Sequence, residues 1–125
     1  MNFVKGWCAI YKFAFAGFKH PHINELYKLA KNDPNVEIIA AWEDDERARI
    51  NAERKLGVNF THSDYNEMIN NEETDVVVIG DYYGIRGTLA IAALKAGKNI
   101  FSDKPLCTSL SEIDEIEKLA YEKGL

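Results

Sequence analysis

Cysteine is scarce in this chain. Cys8 and Cys107 are far apart and have no second cysteine or histidine at metal-ligand spacing. That excludes a disulfide-stapled fold and indicates free thiols in a reducing compartment. His20, His22 and His62 form no zinc pattern, so no metal is expected. Long apolar runs are also missing. "MNFVKGWCAIY" is interrupted by Lys5 and Gly6 and lacks the cleavage pattern of a signal peptide, and no segment is long enough to span a bilayer. Basic charge is in deficit: 15 Lys and Arg face 20 Asp and Glu, a formal net charge of -5, and the cations are dispersed. These absences argue against nucleic-acid and membrane partners and for a cytoplasmic protein. Glycine is sparse where it would matter most. "AFAGFKHPHI", residues 14–23, resembles a phosphate-binding turn but holds one glycine, Gly17, where such turns usually carry three.

What remains is ordinary globular composition, 46% hydrophobic and 28% charged over 125 residues, enough for one modest core. Residues 1–11 read as an N-terminal extension and 12–125 as one domain in which strands alternate with helices. "KFAFAG" (12–17) is a first strand, followed by a helix with Pro21 in its first turn and apolar residues at helical spacing, closed by Pro34. "VEIIAAW" (36–42) is a second strand, and Asp44 or Asp45 caps a helix ending before Gly57. A weak third strand is expected at 59–61, then a short helix opened by the capping-box pair Asp64 and Glu67. "DVVVIG" (75–80) is a continuous β-branched run suited to burial on both faces. A helix stopping at Gly97, the strand "NIFS" (99–102) and a last helix capped by Ser109 and Glu112, with Ile113, Ile116, Leu119 and Ala120 on one side, complete the pattern. This order implies an α/β fold of Rossmann type, a doubly wound parallel sheet of order 3-2-1-4-5, with ligands at the carboxyl ends of the strands.

Four strand ends border that crevice. In the first, Gly17, Phe18, Lys19 and His20 form the turn toward which the following helix points its N-H groups. Lys19 stands where a second glycine normally admits a pyrophosphate, and its ammonium offers a charge partner instead. Glu43, 26 residues after Gly17, lies where an acidic side chain accepts hydrogen bonds from an adenosine ribose, which favours NAD over NADP. Asp44 and Asp45 read as helix-capping charges. Asp81, Tyr82 and Tyr83 form a loop able to flank a nicotinamide, and Arg86 can reach a carboxylate or phosphate. After the last strand come Asp103, Lys104 and Pro105, the proline holding Lys104 in extended backbone.

Together these segments resemble the N-terminal domain of the glucose-fructose oxidoreductase/inositol dehydrogenase (Gfo/Idh/MocA) family over residues 12–125. The most specific part is "ALKAGKNIFSDKPLCTS", similar to the family's A-L-x-x-G-K-x-V-x-x-E-K-P, supported by "DVVVIG". The resemblance implies that Lys104 is the active-site lysine, orienting substrate and nicotinamide for hydride transfer at a sugar or polyol carbon. It also implies that the remaining catalytic residues, the substrate pocket and a homo-oligomer interface belong to a C-terminal α/β domain. The chain is therefore expected to be the cofactor-binding half of a dehydrogenase, without turnover of its own. It departs from the pattern at Lys19 for glycine, Asp103 for glutamate, Asp81-Tyr82 for Thr-Pro and Arg86 for histidine. Two other readings compete: a phosphoacceptor signalling domain using Asp44, Asp45, Asp81 and Lys104, and a Rossmann scaffold without cofactor.

Overall fold

The computed structural model describes residues 9–125. Residues 1–8 of the expected extension, with Cys8, lie outside them. Its elements are β1 (Tyr11–Ala16), α1 (His22–Asn32), β2 (Val36–Trp42), α2 (Glu46–Leu56), α3 (Tyr65–Ile69), β3 (Val76–Ile79), α4 (Tyr83–Lys95), β4 (Asn99–Ser102) and α5 (Leu110–Lys123). Among the described residues the sheet is four-stranded and parallel, in the order β2-β1-β3-β4. The expected third strand at 59–61 is not a strand. Asn59 is exposed, and the segment is tied to β2 mainly through Thr61, whose N-H donates to the Ala41 carbonyl (3.1 Å) and whose Oγ1 accepts from Ala41 N-H (3.1 Å). Without that strand, the order expected for the others is the one observed.

Period-two alternation sorts the strand residues onto two faces. Phe15, Ala41, Val76 and Val78 pack with Ile23, Tyr27 and Ala30 of α1 and Ala52 and Leu56 of α2. Ala14, Ala16, Val77 and Ile79 face the other way, against Tyr65 and Met68 of α3, Leu89, Ala93 and Leu94 of α4, and Ile116 of α5. α1 and α2 thus cover one face and α3, α4 and α5 the other, and the sheet reverses between β1 and β3.

Local signals account for several helix ends. Asp45 and Asp64 accept from the N-H groups of Ala48 and Glu67, and Gly57 ends α2 at φ +67°. The capping box expected at α5 does not form. Ser109 is the N-cap but its hydroxyl pairs with Ser111 Oγ at 2.7 Å, while Glu112 reaches back to Thr88. Ile113 is also 45% exposed, because α5 turns mainly Ile116, Leu119 and Ala120 toward the core.

Buried Tyr65 donates its hydroxyl to the Leu89 carbonyl at 2.6 Å, joining α3 to α4, and burial pushes its pKa well up. Tyr65→Phe leaves that carbonyl short of a donor and is expected to cost about 1–2 kcal/mol in urea denaturation.

Candidate functional site

The strand register assembles the site. Ala16 pairs with Trp42 on one side and Ile79 on the other, and Ile79 pairs with Ser102. The next residue on each strand, Gly17, Glu43, Gly80 and Asp103, therefore lies at the same edge of the sheet, at the carboxyl ends. The four predicted segments do meet.

Gly17 turns the chain at φ +84° and donates its N-H to the Trp42 carbonyl (2.9 Å). A Cβ there would come within 2.6 Å of Asp81 Cβ and 2.9 Å of Asp81 N, so only glycine lets β1 turn this tightly against β3. His20 N-H then donates to the Gly80 carbonyl (3.1 Å), fixing the entry to α1. Phe18 turns away from the crevice: its ring is buried among Phe15, Tyr27 and Phe60, leaving its backbone in the turn.

Glu43 is 2% exposed and fully engaged. Its Oε2 accepts from Phe18 N-H (2.6 Å), and its Oε1 accepts from Asp45 N-H (2.8 Å) and lies 2.9 Å from Lys19 Nζ. Lys19 Nζ also pairs with Asp44 and, at 3.2 Å, with Asp81, whose other oxygen accepts from Tyr82 N-H (2.8 Å). One ammonium bridges three carboxylates drawn from two strand ends. Burial would lower the Lys19 pKa, but the hydrogen bonds of Asp44 and Glu43 and the charge of Asp81 hold it above its ordinary value. Burial pushes Glu43 and Asp81 up despite that cation, whereas the Lys19 contact holds exposed Asp44 down. Lys19 lies 5.5 Å from the centroid of the Tyr82 ring, and Tyr82 and Tyr83 are about half exposed at the crevice rim.

Arg86 is fully buried and braces two strand ends. Its Nε donates to the Asp81 carbonyl (2.6 Å) and its Nη1 to the Pro105 carbonyl (3.0 Å), while Nη2 stands 3.8 Å from Asp103 Oδ2 without a hydrogen-bond partner among the described residues. Lys104 and Pro105, joined by a cis peptide, are exposed beyond β4, and Lys104 N-H donates to Asp103 Oδ1 (2.8 Å).

Sequence spacing left two participants out. His22 entered the sequence reading as part of a failed zinc pattern, yet its Nδ1 lies 2.6 Å from Asp103 Oδ2. Asp44 read as a cap, but Asp45 is the cap, and Asp44 is the exposed carboxylate beside Lys19. The signal for Asp44 was three successive acids where one cap suffices.

The edge fits a dinucleotide. Gly17 provides a turn that a Cβ would fill, α1 starts just beyond it, and acidic side chains stand at the end of β2. An open cleft of about 460 Å³ between the turn and α2, lined by Phe18, Lys19, Asp45, Arg47, Ala48 and Asn51, adjoins that acidic end. Among the described residues no helix is long and apolar enough to cross a membrane.

Comparison with known proteins agrees. Residues 12–125 match the family model GFO_IDH_MocA, described as an oxidoreductase family with an NAD-binding Rossmann fold. Inositol 2-dehydrogenase of Salmonella typhimurium is 26% identical over 102 residues, covering 81% of this chain and 30% of that protein. The structure of myo-inositol 2-dehydrogenase from Lactobacillus plantarum superposes with a TM-score of 0.75 at 27% identity, covering 91% of this chain and 34% of that one. Biliverdin reductase from Synechocystis, crystallised with biliverdin and NADP+, superposes with a TM-score of 0.78 at 25% identity, covering 90% of this chain and 35% of that one. The chain thus spans about a third of the length of these relatives. The match sets aside the phosphoacceptor reading, as does the single helix and strand, α4 and β4, between Asp81 and Lys104. A glycine turn at a sheet reversal, acids ending β2 and a family match over nearly the whole chain lead to one conclusion: the chain belongs to the Gfo/Idh/MocA oxidoreductase family and carries its NAD-binding Rossmann fold.

Proposed function

We propose that this chain is the cofactor-binding unit of a dehydrogenase that transfers hydride between NAD and a sugar, polyol or related small molecule. The observation that carries this reading is the register-aligned edge at which Gly17, at φ +84°, meets Asp81 between β1 and β3. In it, Gly17, Phe18, Lys19 and His20 form the turn that borders the pyrophosphate, Gly17 through its shape and Lys19 through charge, while the Phe18 and His20 N-H groups, held by Glu43 and the Gly80 carbonyl, fix the course of the turn. Tyr82 and Tyr83 flank the nicotinamide from the rim, and Asp81, Arg86, Asp103 and Pro105 shape that end of the crevice. Lys104 extends beside it as the group that orients substrate. The bound nicotinamide supplies the hydride chemistry. A cytoplasmic location and a homo-oligomer built with the rest of the substrate machinery complete the proposal.

Glu43 works from beneath the surface, holding the Phe18 and Asp45 backbone and Lys19 in place. The adenosine ribose then falls to Asp44, whose carboxylate is 57% exposed. A carboxylate there accepts from a 2'-hydroxyl and repels a 2'-phosphate, which is the basis for preferring NAD. Calorimetric titration of the purified chain is expected to give tighter binding of NADH than of NADPH. Asp44→Ala should weaken NADH by about tenfold, the value of one charge-assisted hydrogen bond, while leaving NADPH unchanged or improved. Equal losses for both nucleotides would remove Asp44 from the ribose. Failure of the unaltered chain to bind either would favour the cofactor-free scaffold.

A further inference from the structure

A second cluster lies at the other end of the same edge. His20 and His22 stand at the start of α1, and Asp103 follows β4, 81 residues after His22. Asp103 Oδ2 lies 2.6 Å from His22 Nδ1 and 3.2 Å from His20 Nδ1. The two imidazole planes cross at 78° with centroids 4.5 Å apart, so two ring nitrogens approach one carboxylate oxygen from different directions. All three donor atoms lie within 4.8 Å of one another. Tetrahedral ligands about 2.1 Å from a common ion stand about 3.4 Å apart, so side-chain rotations that widen the two contacts by less than about 1 Å admit one.

We propose that His20, His22 and Asp103 form a binding site for a divalent transition-metal ion, held through both Nδ1 atoms and Asp103 Oδ2. The ligand set is prearranged by its neighbours. Asp103 Oδ1 is occupied by the Lys104 N-H (2.8 Å), which directs Oδ2 to the histidines, and the His20 backbone is pinned to the Gly80 carbonyl. Arg86, clamped by two carbonyls, keeps a guanidinium nitrogen 3.8 Å from Oδ2. With that cation beside the single carboxylate, affinity rests on the two imidazoles, which favours zinc, cobalt or ferrous iron over the oxygen-seeking Mg²⁺ and Ca²⁺. His22 is 57% exposed, so remaining coordination positions face solvent beside Lys104, open to water or to an oxygen of a small molecule.

The test needs no nucleotide, so it stands apart from the cofactor reading. Chelator-stripped chain is titrated with ZnCl2 by calorimetry and with CoCl2 by visible absorption. One equivalent of zinc should bind, and a hundredfold excess of Mg²⁺ should not displace it. His22→Ala and Asp103→Asn should each weaken binding at least tenfold, with His20→Ala as a second histidine variant and circular dichroism confirming the fold of each. His62→Ala should bind as the unaltered chain does, because that ring pairs with Thr61 Oγ1 (2.7 Å) in another part of the fold. The proposal is overturned by absence of saturable zinc binding, by unchanged affinity in His22→Ala, or by a thiolate-to-cobalt charge-transfer band that assigns the metal to cysteine.

Discussion

Alanine at position 17 is expected to lower folding stability by about 3 kcal/mol, combining the cost of a side chain in left-handed backbone with that of an overpacked contact. The added methyl would lie 2.6 Å from Asp81 Cβ and 2.9 Å from its backbone nitrogen. A flexible side-chain tip could move aside; these atoms belong to the end of β3 and must shift with it. Asp81 would carry its contacts to Lys19 and Tyr82 along, so NADH binding should be lost with the stability. Gly97→Ala provides the comparison. Gly97 has φ +79° but open space around it, so its substitution should cost only the backbone term, about 1 kcal/mol. Urea denaturation of the two variants separates conformation from contact. Equal losses would mean that the approach of Gly17 to Asp81 is not what makes glycine necessary.

Lys19→Ala is expected to cost about 3 kcal/mol at pH 7, because it strips the shared cation from Glu43 and Asp81, both fully buried, and from Asp44. The pH dependence has a definite sign. Glu43 and Asp81 have folded-state pKa values raised above their ordinary ones. The stability linked to each is complete below the ordinary carboxylate pKa and is lost as pH rises through the raised value. Removing Lys19 raises both further and extends that loss toward neutrality. The stability deficit of the variant relative to the unaltered chain should therefore shrink on acidification from pH 7 to pH 5. Lys19→Met, which keeps most of the aliphatic stem, should show the same narrowing. A deficit independent of pH in both variants would assign Lys19 to packing rather than charge. NADH affinity should fall at pH 7 as well, since three uncompensated carboxylates then border the pyrophosphate.

The same lysine explains how this turn departs from its family. A second glycine would leave Glu43 and Asp81 facing each other without a cation at the junction of β1, β2 and β3. Lys19 and the acids form one unit, and Arg86 forms another with the Asp81 and Pro105 carbonyls. Its charge suggested a ligand role for Arg86; what the structure shows is a bracing one, at 0% exposure. A guanidinium at full burial is held by the carbonyls it satisfies, and its composition alone reveals nothing of that.

Alternation of apolar runs with helical periods was enough to establish the α/β class, the parallel sheet and the meeting of four strand ends, because burial on two faces imposes those patterns residue by residue. Gly17, Gly57, Asp45 and Asp64 were legible for a similar reason: turns and caps act over a few neighbouring residues. The segment at 59–61 was misread because Phe60 between Asn59 and Thr61 is a pattern compatible with strand and loop alike, and only the way it bonds to β2, through Thr61, distinguishes them. What local pattern could not decide was partnership across the sheet. Whether Glu43 or Asp44 faces the crevice, which carboxylates Lys19 bridges, and that His22 meets Asp103 all follow from strand register and helix docking. Those distances are set by the whole core, and a chain read in order has no measure of them until it folds.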